Sequence, residues 1–167
     1  MTPQETDILV ALVRSASPKV MIEFGVNQGI TACRLLENVP GLEKYIGIDV
    51  PRTHQTTLGC QRNEVPDNPG EFAAHDERFS LLLAPSQTLM PDDLEPADAV
   101  FIDGDHAMAA VLHESQLARS LLRPGGIIVW HDWLNPAVEV TEALFRLRVQ
   151  GWQIDDVENS WLAFTRV

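Results

Sequence analysis

Five short, nearly uninterrupted runs of apolar residues recur along this sequence, and they constrain its fold more than any other feature. The runs lie at residues 20–24, 45–50, 79–83, 99–102 and 127–130. Such runs are typical of strands that are buried on both faces, as in a parallel sheet. Parallel strands require long crossover connections, which are usually helices. The pattern therefore predicts an α/β fold built from βαβ units.

Helical signals occupy the segments before and between these runs. Residues 2–5 (TPQE) form a capping box with proline at the first helical position, followed by an apolar stripe. Residues 107–122 place apolar side chains on one helical face, and residues 124–126 (PGG) end that helix. Residues 135–136 (NP) predict the start of a last helix that ends near Gly151. Its apolar face is predicted to carry Val138, Phe145 and Val149.

The end of the chain and one long middle segment depart from this alternation. Residues 152–157 and 161–167 are typical of two strands joined by a turn at 158–160, which predicts an antiparallel hairpin. The segment 51–77 is rich in proline and has no clear periodicity. A loop of that length indicates either a functional lid or an unrecognised helix, for which residues 53–63 are the best place.

Composition and charge exclude several classes of protein. The 167 residues, 45% of them hydrophobic and 22% charged, suit a single domain that spans residues 1–167. A formal net charge of −12 repels a phosphate backbone, so we expect no nucleic-acid partner. The apolar runs are far shorter than the ~20 residues of a membrane-spanning helix, and the polar N-terminus does not resemble a signal peptide. Cys33 and Cys60 lack disulfide or metal-site spacing, and we expect a reducing, cytoplasmic location.

The first candidate site is the strand-to-helix turn at residues 23–31 (EFGVNQGIT). Gly25 and Gly29 would let the backbone approach a ligand, while the helix that begins by Thr31 offers free N–H groups to an anion. The turn lacks the third glycine of a dinucleotide-binding fingerprint, so it is either a ligand loop or a tight connection that binds nothing. Asp49, which ends the second run, is either an acceptor for both hydroxyls of a ribose or an ordinary loop acid.

Titratable side chains follow two further runs. Asp103, Asp105 and His106 come directly after the fourth run, and His131 and Asp132 come directly after the fifth. Ligands bind at the carboxyl ends of strands in open α/β sheets, and two neighbouring strand ends with these side chains can converge on one divalent cation. His131 is equally compatible with a half-buried histidine bonded to the backbone. The remaining histidines, His54, His75 and His113, are predicted to lie on the surface.

These four sites and their order along the chain resemble those of class I S-adenosylmethionine-dependent methyltransferases. The resemblance is to the catechol O-methyltransferase-like group and its bacterial relatives that act on sugars and antibiotics, and it covers almost the full chain. Residues 23–31 resemble the E-x-G-x-x-x-G-x-S/T loop of that family, and residues 84–87 (APSQ) resemble its A-S-Q turn after the third strand. The resemblance implies a Rossmann-like, doubly wound and mostly parallel sheet of seven strands with a C-terminal antiparallel hairpin.

The resemblance also implies S-adenosyl-L-methionine as the cofactor and assigns its contacts. These are Glu23, Gly25 and Asn27 for the methionine moiety, Gly29 within the same loop, Thr31 for the methionine carboxylate, Asp49 for the ribose, Ser86 and Gln87 for the adenine, and Asp103 for cofactor and metal together. Asp103, His131 and Asp132 correspond to the metal ligands of the family, which implies Mg²⁺ or another divalent cation. The usual pair in the family is Asp-Asn, whereas bacterial relatives share the His-Asp found here.

Catalytic roles are implied for His106, which stands at the position of the family's catalytic lysine, and for Asp103. A hydroxyl is a poor nucleophile until it is deprotonated, and an imidazole can remove that proton at neutral pH. Asp105 is expected to orient the imidazole. The sequence thus predicts metal-assisted O-methylation of a small-molecule hydroxyl.

Two other functions stay open at this level. The short chain and altered metal ligands are compatible with a cofactor-binding relative that has no transferase activity. A nicotinamide-dependent oxidoreductase is disfavoured by the missing third glycine. Little sequence lies outside the core, so residues 51–77, the loop after Asp132 or a partner subunit in a homo-oligomer must cover a small-molecule acceptor.

Overall fold

A computed structural model describes residues 1–55, 57–58 and 65–167 of the chain. Its centre is a sheet of seven strands, which are β1 (Val20–Phe24), β2 (Lys44–Asp49), β3 (Phe79–Leu83), β4 (Ala97–Ile102), β5 (Leu122–Trp130), β6 (Asp155–Asp156) and β7 (Ala163–Arg166). The spatial order is β3-β2-β1-β4-β5-β7-β6. Strands β1 to β5 pair in parallel, while β7 runs antiparallel to both β5 and β6. The predicted doubly wound sheet with a closing hairpin is confirmed.

Helices cover both faces of this sheet. They are α1 (Pro3–Ser15), α2 (Ile30–Asn38), α3 (Met108–Leu121) and α4 (Val140–Val149). Buried side chains of α1 and α2 form one apolar cluster with one face of the sheet, and those of α3 and α4 form a second cluster with the other face. Because side chains alternate along a strand, β1 contributes Met21 to the first cluster and Ile22 and Phe24 to the second. Within the described residues, no helix is both long enough and apolar enough to cross a membrane.

The predicted capping box at the start of α1 is confirmed. Thr2 Oγ1 accepts a hydrogen bond from the backbone N–H of Glu5 (3.2 Å), and the backbone N–H of Thr2 donates to Glu5 Oε2 (2.8 Å). The predicted end of α3 is nearly right, since the helix stops at Leu121 and the PGG segment at 124–126 lies within β5.

The predicted start of α4 is wrong. The helix begins at Val140, several residues after the Asn135-Pro136 pair that the sequence favours as its cap. Asn135 Nδ2 instead donates to Asp132 Oδ1 (2.6 Å), and Asn135 Oδ1 accepts from the backbone N–H of Ala137 (3.0 Å). The Asn135 side chain therefore forms its hydrogen bonds within the loop that follows β5 and does not cap α4.

Two predicted apolar faces are also wrong in part. Phe145 and Val149 are exposed, whereas Val138 packs against the core as predicted; the face that α4 turns inward is made of Val140, Ala143, Leu144 and Leu147. Leu81 and Leu83 of β3 are exposed as well, because β3 lies at the edge of the sheet and pairs only with β2. Burial on both faces holds for the central strands and not for this one.

The C-terminal hairpin is shorter than predicted. Its paired residues are Asp155–Asp156 and Ala163–Arg166, while Trp152 and Ile154 turn into the core before pairing begins. Residues 53–63, named above as the best place for an unrecognised helix, lie partly outside the described residues, and Cys60 lies outside them.

Candidate functional site

An open cleft of about 670 Å³ lies at the carboxyl ends of the central parallel strands. The chain moves outward from β1 to β2 and β3 and then returns to β4, so the cleft lies where the strand order reverses. Open α/β sheets bind ligands at such a reversal. Six predicted cofactor residues line the cleft, namely Gly25, Asn27, Asp49, Ser86, Gln87 and Asp103.

Gly25 allows the ends of β1 and β4 to approach each other closely. Its φ is +84°, and a side-chain Cβ there would lie 2.5 Å from Gly104 Cα and would overlap the backbone carbonyl of Asp103. The Asp103 backbone N–H donates to Phe24 O (2.9 Å) beside this contact. The absence of a side chain at Gly25 therefore sets the position of the Asp103 backbone relative to the cleft.

Three predicted cofactor residues do not line the cleft. The carboxyl of Glu23 is buried and accepts a hydrogen bond from Tyr45 Oη (2.8 Å), and burial raises its pKa well above the usual range. Gly29 caps α2 with a φ of +86° and packs against the backbone of Gly70. Thr31 is half-buried in the first turn of α2.

Asp49 stands at the end of β2 and is held by the backbone around it. Its Oδ2 accepts from the N–H of Asn27 (2.6 Å), and its Oδ1 accepts from the N–H of Val50 (2.6 Å). Burial raises the pKa of this carboxyl, although the backbone hydrogen bonds act in the opposite direction. Because both oxygens are held by backbone N–H groups, the carboxylate has one orientation, and its remaining lone pairs can accept hydrogen bonds from a ligand in the cleft.

Ser86 opens a short 3₁₀ turn, Ser86–Thr88, after β3, and a buried acid on α3 holds it. Ser86 Oγ donates to Glu114 Oε1 at 2.5 Å. Glu114 is 1% exposed, and burial raises its pKa to about 8. Sequence reasoning missed Glu114, although it lies three residues after Val111 and four before Ala118, on the predicted apolar face. Acidic residues are rarely buried without a partner, so an acid on an apolar helix face was the sequence signal that could have identified Glu114.

Asp103, His131 and Asp132 converge at the ends of β4 and β5. One potential ligand atom from each lies within 4.8 Å of the others. His131 Nδ1 is 3.3 Å from Asp103 Oδ1 and 3.3 Å from Asp132 Oδ2, so this nitrogen faces two carboxylates. Burial disfavours the charged ring, but the hydrogen bonds and charges of the two carboxylates outweigh it and raise the pKa of His131 to about 10. The pKa of Asp103 falls to about 2, because hydrogen bonds from His106 and His131 outweigh its burial.

His106 lies against the same cluster. Its Nε2 is 3.1 Å from Asp132 Oδ2 and 3.4 Å from Asp103 Oδ1. Asp105, expected to orient this ring, accepts hydrogen bonds from the backbone of Ala107 (3.0 Å) and from Thr57 Oγ1 (2.6 Å). The imidazole therefore stands beside the proposed metal ligands themselves.

The donor set fits a divalent cation. Two carboxylates and one imidazole suit Mn²⁺ or Zn²⁺ at least as well as Mg²⁺, which prefers oxygen ligands alone. The second ring nitrogen of His131, Nε2, is buried and makes no hydrogen bond among the described residues. This geometry directs Nδ1 toward the carboxylates and leaves Nε2 on the other side of the ring.

The other histidines differ in exposure: His75 is exposed, while His54 and His113 are half-buried. His75 is exposed as predicted, but His54 lines the cleft and His113 Nε2 lies 3.2 Å from the carbonyl oxygen of Leu89. His54 is a cleft residue that sequence reasoning missed, and no local pattern around it signalled that position.

Comparisons with known proteins agree with this architecture. The family described as "Methyltransferase domain" matches residues 22–133, which is more than half of the chain. No curated protein matches the chain in sequence.

Solved structures with the same fold include several methyltransferases. An S-adenosylhomocysteine-bound methyltransferase from Podospora anserina has a TM-score of 0.71 at 13% identity, over 99% of this chain and 79% of that one. The O-methyltransferase TomG from Streptomyces achromogenes, in complex with S-adenosylmethionine, has a TM-score of 0.70 at 15% identity, over 100% and 81%. An O-methyltransferase from Bacillus cereus with bound S-adenosylhomocysteine has a TM-score of 0.68 at 16% identity, over 100% and 82%.

Proposed function

The chain belongs to the methyltransferase domain family, and we propose that it transfers a methyl group from S-adenosyl-L-methionine to a hydroxyl of a small molecule. The observation that carries this proposal is the cleft at the strand-order reversal, where Gly25, Asp49 and Ser86 come together from three strand ends. In this proposal residues 1–167 form one methyltransferase domain.

The cofactor assignment has support from the chemistry of the cleft. Asp49 offers a fixed carboxylate to the two ribose hydroxyls, and Ser86 and Gln87 offer polar groups to the adenine. Gly25 and Asn27 bring backbone close to the methionine moiety. We retain Glu23, Gly29 and Thr31 as proposed cofactor residues that act through the β1–α2 loop. The acidic chain also favours a cationic sulfonium, weakly at physiological salt.

An Asp49→Ala variant is expected to bind S-adenosylhomocysteine at least about 100-fold more weakly than the unchanged chain. The change removes two charge-assisted hydrogen bonds to the ribose, each worth roughly 1.5–3 kcal/mol. Titration calorimetry measures both affinities, and Asp92→Ala serves as the control, because Asp92 is an exposed acid outside the cleft. Equal affinities would refute the ribose contact. Tighter binding of NAD than of S-adenosylhomocysteine by the unchanged chain would contradict the proposed cofactor.

The chemical step needs orientation and an activated hydroxyl. Methyl transfer is an in-line displacement, so holding acceptor and sulfonium in line supplies much of the rate. Asp103, His131 and Asp132 would hold a divalent cation, which when bound supplies a Lewis acid that lowers the pKa of a hydroxyl. His106 Nε2 stands 3.1 Å from Asp132 Oδ2, close enough to receive a proton from an acceptor beside these ligands.

A His106→Ala variant is expected to lower kcat about 10²–10⁴-fold with little change in cofactor affinity, which is the result of removing a general base. Steady-state kinetics with an acceptor found by screening measures kcat, and calorimetry measures the affinity. His113→Ala is the matched control, because this half-buried histidine of α3 contacts Leu89 and not the Asp103 cluster. Retained kcat with weakened cofactor binding would make His106 a packing residue instead. Cofactor binding without methyl transfer to any acceptor would favour an inactive relative.

A further inference from the structure

The His131 ring has one nitrogen whose surroundings the proposed function does not explain. Nδ1 faces Asp103 and Asp132, whereas Nε2 is buried and makes no hydrogen bond among the described residues. A neutral imidazole that binds a metal through one nitrogen carries its proton on the other. A buried N–H group requires an acceptor, and metal-binding histidines usually donate theirs to a carboxylate or a carbonyl.

Glu5 is the carboxylate that faces this nitrogen. Glu5 Oε2 lies 3.7 Å from His131 Nε2, and the Glu5 side chain is only 9% exposed. Glu5 belongs to the first turn of α1, which is far from β5 in sequence, so no local pattern links the two residues. The distance is within reach of a hydrogen bond after a small adjustment of either side chain.

Partners from both ends of the chain hold this carboxylate in place. Oε2 accepts from the backbone N–H of Thr2 (2.8 Å) and from Thr2 Oγ1 (3.0 Å), and Oε1 accepts from the backbone N–H of Trp161 (2.8 Å). The Trp161 ring also packs beside the His131 ring, with 6.3 Å between the ring centroids. Glu5 is therefore fixed between the start of α1, the C-terminal hairpin and His131.

The capping hydrogen bonds by themselves do not require a negative charge at this position, although the positive end of the α1 dipole favours one. A capping box accepts glutamine as readily as glutamate, so the cap requires an acceptor and not a charge. Charged side chains are rarely buried unless they are paired. Since the other partners of Glu5 are a neutral hydroxyl and two backbone N–H groups, His131 is the ionisable partner that the described contacts provide.

We propose that Glu5 is a positioning residue of the metal site, whose carboxylate accepts from His131 Nε2–H and holds the ring with Nδ1 directed at Asp103 and Asp132. The inference rests on the proposed function, because it requires that the three ligands bind a divalent cation. It assigns to the first turn of α1 a role in metal affinity as well as in helix capping.

Two variants separate these roles of Glu5. Glu5→Gln keeps one acceptor oxygen for the capping box and removes the charge that faces His131, whereas Thr2→Ala removes the side-chain cap and one hydrogen bond to the carboxylate but keeps the charge. Titration with Mn²⁺, followed by electron paramagnetic resonance of the free ion, is expected to give a Kd about 10–100-fold weaker for Glu5→Gln than for the unchanged chain. Thr2→Ala removes one of the three hydrogen bonds that hold the carboxylate, so its Kd is expected to weaken much less than that of Glu5→Gln, and its melting temperature is expected to fall.

Each other outcome overturns the inference. Unchanged Mn²⁺ affinity in Glu5→Gln would leave Glu5 a cap alone, and equal losses in both variants would mean that the effect passes through the helix terminus. If the unchanged chain binds S-adenosylhomocysteine but no Mn²⁺, the metal role and this inference fail while the cofactor proposal stands. If it binds neither, the proposed function fails too.

A second measurement needs no substitution. Long-range ¹H–¹⁵N spectra of the Zn²⁺-titrated chain report which nitrogen of His131 carries the proton. The expected result is a proton on Nε2 and the metal on Nδ1. A proton on Nδ1 would overturn the inference, whatever the stability of the variants.

Discussion

A Gly25→Ala variant is expected to lose more than about 4 kcal/mol of unfolding free energy and to lose measurable binding of S-adenosylhomocysteine. The new Cβ would overlap the backbone carbonyl of Asp103 and would lie 2.5 Å from Gly104 Cα. The backbone of Asp103 and Gly104, directly after β4, cannot rotate out of the way as a side chain can, so the ends of β1 and β4 must separate. Both ends line the cleft, and the lost stability and the lost binding have the same cause.

The matched control for this variant is Gly125→Ala. Gly125 also has a φ of +84°, but a Cβ there meets no atom within 4 Å. Its expected loss is therefore only the conformational penalty of about 1–2 kcal/mol. Urea unfolding of both variants measures the difference. Similar losses at the two positions would contradict the steric explanation, because the conformational penalty is the same in both.

The free energy of unfolding is expected to fall as pH rises from about 4.5 to about 8, with Glu114 as a major cause. Burial raises the pKa of this carboxyl from 4.5 to about 8. Between these two values the folded chain binds more protons at Glu114 than the unfolded chain does, so stability falls with rising pH. The stabilising contribution of Glu114 is complete at pH values below its pKa in the unfolded chain, and it is lost at pH values above its pKa in the folded chain. A shift of this size corresponds to roughly 5 kcal/mol.

Glu114→Gln isolates this contribution from that of other titrating groups. The amide resembles the protonated acid in shape and does not titrate, and it can still accept from Ser86 Oγ. Urea unfolding at several pH values should give two stability curves that lie close together near pH 5 and diverge toward pH 8, with the variant above the unchanged chain. Parallel curves across this range would show that Glu114 ionises with an ordinary pKa in the folded state.

Most of the fold follows from local sequence patterns. The apolar runs locate β1, β2 and β4 closely, and the capping box at Thr2 and Glu5 locates the start of α1. These predictions succeed because strand burial and helix capping depend on residues within a few positions of each other. The start of α4 fails for the opposite reason, since Asn135 bonds Asp132 in the preceding loop and leaves the helix terminus to later residues.

The candidate site also has one part that the sequence predicts and one part that only the tertiary structure shows. Sequence alone determined which residues follow each strand, and a parallel sheet brings those strand ends to one edge, so Asp49, Ser86 and Asp103 meet in one cleft. Only the tertiary structure decided that Glu114 of α3 holds Ser86 and that Glu5 of α1 faces His131. Such contacts join elements distant in sequence, and their energy depends on the burial of a charge, which no local pattern of residues determines.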